Sequence, residues 1–184
     1  RQMFFWVGIL SAFAAPALSM GLLADEKRSG TIELLITLPV RDHEVVLGKF
    51  LGVLGLYGVL ALLTIPYPIA VAQFGPLEAG PVMTGYFGLV LQGGAMLAIG
   101  LMASSFTENQ VVAFFVSLTI TMIFVLIDKQ AALLWGPLQW FAFGTHSGPM
   151  ERGVIDLRDV VFFLSITALC LGITFRSLES RRWS

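Results

Sequence analysis

Long apolar runs alternate with short polar links along the whole chain. Five runs reach the roughly 20 residues that a helix needs to cross a bilayer: Met3–Leu23, Phe50–Phe74, Met83–Phe106, Val111–Ile127 and Val160–Leu178. No Asp, Glu, Lys or Arg interrupts the first four, and only Arg176 approaches the end of the fifth. In hydrocarbon every backbone N–H must bond within its own segment, so these runs predict helices. The expected fold class is all-α, a polytopic membrane bundle forming one domain over residues 1–184.

The links are unequal. Residues 24–49 crowd Asp25, Glu26, Lys27 and Arg28 against one run, and Arg41, Asp42, His43 and Glu44 against the next. Between them Ile32, Leu35 and Ile36 share one helical face, with Glu33 and Thr37 turned away. Pro39 ends that helix, because the residue before a proline avoids the helical region, and Asp42 can cap the next one. Gly30 allows a tight turn into it. The short amphipathic helix reads either as an ordinary interfacial element or as a coupling element that plugs into a soluble motor.

Residues 75–81 form a short turn. "SSFTENQ" (104–110) forms another, with Thr107 and Gln110 spaced as a capping box. Segment 128–159 is longer, and its Trp135 and Trp140 suit the headgroup level. Gly136-Pro137 and Gly144 should break it, so an interfacial or re-entrant element is expected rather than a sixth span. Basic residues favour one side: Lys27, Arg28, Arg41, Lys49, Arg176, Arg181 and Arg182, against Arg1, Lys129, Arg152 and Arg158. The positive-inside rule therefore places link 24–49 and the C-terminal tail in the cytoplasm.

Glycines mark close approach. Gly48, Gly52, Gly55 and Gly58 keep to one helix face, as expected where another helix packs, either inside one bundle or between subunits. Gly85, Gly88, Gly93, Gly94 and Gly100 suggest similar contacts less sharply.

Composition narrows the chemistry. Hydrophobic residues make up 57% of the chain and charged ones 12%, against about 25% charged in a soluble domain; mean hydropathy is +0.85. No basic stripe interleaves with aromatics, so nucleic acid is not an expected partner. Cys170 is the single cysteine, so no intrachain disulfide forms and a metal cluster is not expected. "LGKF" (47–50) lacks the spacing and hydroxyl of a phosphate loop. His43 and His146 are expected on opposite sides of the membrane. The spans carry only mild polar groups, including Ser11, Gln92 and Thr121, and no base for a nucleophile. No catalytic, cofactor or metal site is expected, and no group suited to harvesting an ion gradient. The chain opens Arg1-Gln2, and Phe4–Leu23 exceeds a cleaved signal's apolar stretch of about 7–15 residues. It reads as a span within a longer protein.

The run "LADEKRSGTIELLITLPVRDHEVVLGKF" resembles the cytoplasmic loop of ABC-2-type permeases, the membrane subunits of ATP-binding-cassette transporters. It is most similar to the gliding-motility-associated branch, near the nitrous-oxide-reductase accessory permeases. Glu26, Gly30, Thr31, Glu33, Leu34, Leu35, Pro39 and Gly48-Lys49 carry the match, followed in order by "GYFGLVLQGGAMLAIGLMASSFTENQVVA" (85–113) and "RGVIDLRDVVFFLSITALCLGITFRSLESRRW" (152–183). The resemblance implies a type V exporter-like permease in a bacterial inner membrane. Five of its six spans would be present, the first lying outside this chain. It implies pairing with a second copy or a paralogous permease, and cytoplasmic ABC ATPase subunits that bind ATP and Mg. Link 24–49 would be the coupling loop, with Ile32, Leu35 and Ile36 as the docking face and Glu26 and Glu33 as polar anchors. The rival expectations are a membrane anchor or assembly subunit for a motility or maturation complex, an ATP-independent carrier or pore, and, last, an intramembrane enzyme.

Overall fold

The computed structural model describes residues 2–31, 42–73, 78–134 and 136–181. All regular structure among them is helical: α1 (Gln2–Ser19), α2 (Gly21–Arg28), α3 (Asp42–Leu62), α4 (Pro66–Ala72), α5 (Ala79–Phe106), α6 (Gln110–Leu134), a 3-10 turn (Gly136–Phe141), α7 (Phe143–Met150) and α8 (Leu157–Arg181). Five helical stretches are long and apolar enough to cross a membrane: Met3–Arg28, His43–Ala72, Ala79–Phe106, Gln110–Ile127 and Leu157–Ser180. The second begins seven residues before the apolar run at Phe50, because the charged flank His43–Lys49 belongs to the helix that starts at Asp42, where a cap was expected.

Breaks fall where the backbone loses a donor. Pro66 and Pro68 open α4 after the turn at Leu63–Ile65; a proline has no N–H, so it suits the first turn of a helix, where that donor has no intrahelical partner. Pro16 inside α1 deprives the Ala12 carbonyl of its usual partner. The Thr121 hydroxyl of α6 lies 3.5 Å from that carbonyl while donating to its own Ser117 carbonyl at 2.8 Å.

Helix α5 is the central post. It packs against α1, α2, α3, α6, α7 and α8, and Ala95, Met96, Leu97, Ala98, Ile99 and Leu101 are buried all round it. A helix apolar on every face belongs in such a position. Two of its glycines admit neighbours that no side chain would leave room for. A Cβ at Gly93 would fall inside the Tyr57 ring, and one at Gly100 would strike the Ser19 hydroxyl. Tyr57 fills that notch while its hydroxyl hydrogen-bonds Ser11 Oγ at 2.7 Å, linking α1, α3 and α5.

The segment after α6 folds back onto the bundle. The break expected at Gly144 occurs instead at Ala142, whose backbone is extended, and Gly144 lies within α7. Helix α7 seats Met150 against Gly88 of α5, and Thr84 Oγ1 donates to the Met150 carbonyl at 2.6 Å. At eight residues this helix is far shorter than the roughly 20 a span needs. Trp140 is exposed with the Arg158 guanidinium 3.5 Å over its ring. Trp135 lies outside the described residues.

Candidate functional site

The polar groups of the bundle gather chiefly at one end, around α2. This helix starts without a side-chain cap of its own, since Met20 precedes it. Its free N–H groups are met from another helix: Leu23 N and Ala24 N both donate to Ser104 Oγ, at 3.0 and 2.9 Å. The same hydroxyl donates to the Met20 carbonyl at 2.9 Å. One serine from α5 thus meets two N–H groups and a carbonyl at the break between α1 and α2.

Two lysines brace α2 further. Lys27 is buried and its ammonium donates to the Ser105 carbonyl at the end of α5, where a helix C-terminus favours positive charge. Ser177 Oγ of α8 donates to that same carbonyl at 3.1 Å. Lys49 of α3 donates to the Leu22 carbonyl at 2.7 Å and to Glu26 Oε1 at 2.5 Å. Both members of the Lys49–Glu26 pair are about a quarter exposed or less, so solvent screens it only in part. From α6, the Gln110 amide donates to the Asp25 carboxylate. Helix α2 is therefore tied to α3, α5 and α6, and through Ser105 to α8.

Helix α2 ends at a left-handed glycine. Gly30 has φ +71, and its N–H donates to the Lys27 carbonyl at 3.3 Å, a C-terminal cap that residues with a Cβ rarely adopt. Thr31 Oγ1 adds a bond to the Glu26 carbonyl at 3.4 Å. Gly30 thus stops one helix; the sequence suggested it only as the start of the next.

The expected site residues separate. Glu26, Gly30 and Thr31 sit in this knuckle, and Glu26 turns inward to Lys49. Ile32, Glu33, Leu35, Ile36 and Pro39 lie outside the described residues. Gly48, Gly52, Gly55 and Gly58 lie on α3, and a Cβ at any of them would meet nothing within 4 Å. No described helix of this chain packs on that face. The capping box also differs: Thr107 Oγ1 accepts from Asn109 N at 3.1 Å, and Asn109 Oδ1 caps Val111 N at 2.9 Å. Gln110 is occupied with Asp25 instead.

Ser104, Ser105 and Ser177 escaped the sequence reading. Two adjacent serines closing an apolar run, just before a turn, were the available signal.

The opposite end carries a buried ionisable pair. His146 Nδ1 lies 2.7 Å from Asp159 Oδ1, its Nε2 lies 3.0 Å from the Trp140 carbonyl, and its ring stacks on Phe162. This pair fastens α7 to the start of α8. His43 is at the α2 end, so the two histidines occupy opposite ends of the bundle, and no described cluster of His, Cys, Asp or Glu could hold a metal ion.

A search among curated proteins finds no match to this sequence. Among protein families, residues 2–175 match "ABC-2 family transporter protein", a stretch that takes in the first four spans, most of the fifth and the braced knuckle between the first two; the chain belongs to the ABC-2 transporter family.

Proposed function

We propose that this chain is the membrane-spanning permease subunit of an ATP-binding-cassette transporter, an exporter that takes mechanical work from a separate cytoplasmic ATPase through link 24–49. Its family is one of transport proteins and not of catalysts. The observation that carries the proposal is the bracing of α2. A segment that leaves at Gly30 and returns at Asp42 is flanked by two helices joined by Lys49, Glu26 and Leu22. Force on the link would move α2 and the start of α3 as one piece. Ser104, Lys27 and Gln110 would pass that motion to α5 and α6. Without such ties the link could flex and dissipate the displacement.

In this reading Ile32, Leu35 and Ile36 enter a groove on the ATPase, and Glu33 is a polar anchor beside them. Glu26 serves the chain's own brace. Closure of the ATPases on ATP and Mg favours one arrangement of the spans over another by contacting the link differently in the two, which is the requirement for any ligand-driven shift. A second permease, identical or paralogous, completes the transporter, and the open glycine face of α3 is suited to receiving it. The link and the tail face the cytoplasm of a bacterial cell, and the membrane is its inner one.

Leu35→Asp tests the docking face. An unpaired charge in a desolvated groove is strongly unfavourable, so the variant should lose co-purification with the ATPase while the permease stays in the membrane. Normal capture and normal transport by the variant would overturn the docking assignment. A cysteine introduced by Ser29→Cys should react with an impermeant maleimide only from the cytoplasmic side; labelling of intact cells from outside would invert the topology.

A further inference from the structure

In the half of the bundle remote from α2 lies a cavity of about 430 Å³, within the size range of small-molecule sites. Its walls are apolar: Phe5, Ile9 and Phe13 from α1, Met122 and Leu126 from α6, and Phe143 from α7. Three polar residues also line it, Gln92, Ser147 and Glu151. Gln92 is the telling one. It sits at the middle of α5, is only 8% exposed, and its amide end rests beside Gly8, 3.6 Å from where a Cβ there would stand. Among the described residues no protein group hydrogen-bonds that amide.

An amide at mid-span with no protein partner is costly in hydrocarbon unless an occupant of the cavity it opens into supplies one. The cavity into which Gln92 opens is also reached from the side. Phe5, Phe13 and Leu126 line it and are at the same time exposed, so its mouth opens between α1 and α6 on the apolar outer face of the bundle. Nearer the middle those helices close together at Ala12 and Thr121.

We propose that this cavity binds a membrane amphiphile: a hydrocarbon chain lying along Phe5, Phe13 and Met122, carrying an uncharged ester, amide or hydroxyl that hydrogen-bonds Gln92. The glutamine amide both donates and accepts, which suits such a group. The site does not depend on an ATPase docking at the far end of the bundle.

The test uses the full chain, extracted with its surrounding lipid in polymer nanodiscs, and a monoacylglycerol with a diazirine in its acyl chain. Irradiation should label residues 4–13 and 122–126 in preference to the exposed α3 face at Leu51, Leu56 and Leu60, and unlabelled monoacylglycerol should compete. Gln92→Leu should lower cleft labelling about fivefold, the loss of roughly one hydrogen bond, and leave α3 labelling unchanged. Gly8→Val, which covers the amide with methyl groups where a Cβ makes only ordinary contact, should do the same. Equal labelling of cleft and α3, or equal cleft labelling with and without the Gln92 amide, would overturn the proposal. So would a cleft that takes no label, which is the result if protein or water alone occupies it.

Discussion

Helices α3 and α5 are both rich in glycine and both span the bundle, yet they use glycine in opposite ways. On α5, Gly93 and Gly100 are notches filled by Tyr57 and Ser19 of neighbouring helices. On α3, Gly48, Gly52, Gly55 and Gly58 form the more regular stripe and face open space. Regular spacing marks a face and does not say whether that face is covered. Irregular spacing on α5 reflects a helix surrounded on all sides, where each glycine answers a different neighbour.

The comparison breaks most visibly at Gly93. Gly93→Leu would drive a side chain into the Tyr57 ring, which Ser11 holds in place. Overpacking of this kind costs about 1–3 kcal/mol, with the upper end expected because an aromatic ring must move. The check is a lowered thermal midpoint and reduced yield of monodisperse protein; an unchanged midpoint would show that Tyr57 does not occupy that notch. Ser104→Ala should follow, at about 1–2 kcal/mol, since two N–H groups and a carbonyl lose one shared partner. Hydrogen exchange should then accelerate at Leu23 and Ala24 before it does in α5. Unaltered protection there would contradict the cap.

Smaller still is Lys49→Met, about 1 kcal/mol or less for a partly exposed pair. Its readout is independent motion of α2 and α3, measured as a broadened distance distribution between spin labels at Ser29 and His43. The smallest effect belongs to the open stripe. Gly55→Leu should alter the stability of the single chain by no more than about 0.5 kcal/mol, as for exposed positions generally. If a second permease seats there, the same change should shift the complex toward monomer in crosslinking. A large loss of stability with no shift in assembly would mean that the stripe is covered from within the chain.

Much of the architecture was legible in the runs of apolar residues. Five spans were expected and five helices of sufficient length and apolarity occur, because lipid leaves backbone polar groups no alternative to helix. Boundaries were less legible. Hydropathy alone starts the second span at Phe50, but the helix begins at Asp42, where a cap was expected, and α2 carries its charges as a helix to Arg28; hydropathy sees charge, whereas the backbone sees only whether its bonds can continue. The knuckle was half legible. The clustered charges of residues 25–28 pointed to it, but Ser104, Lys49 and Ser177 are remote in sequence and reach it only through packing. Gln92 was visible as one mild polar group among several, with nothing to show that its amide would be left unpartnered beside a cavity.

The sequence by itself determined which described helices are long and apolar enough to cross a membrane and where the polar link between the first two lies. Both follow from local constraints, the solvation of side chains and the closure of backbone hydrogen bonds within a segment. The tertiary structure decided which glycines are filled, which carboxylate turns inward to Lys49, and which serine caps a helix 80 residues away in the chain. Those outcomes depend on the approach of separate segments, and no periodicity within one segment encodes them.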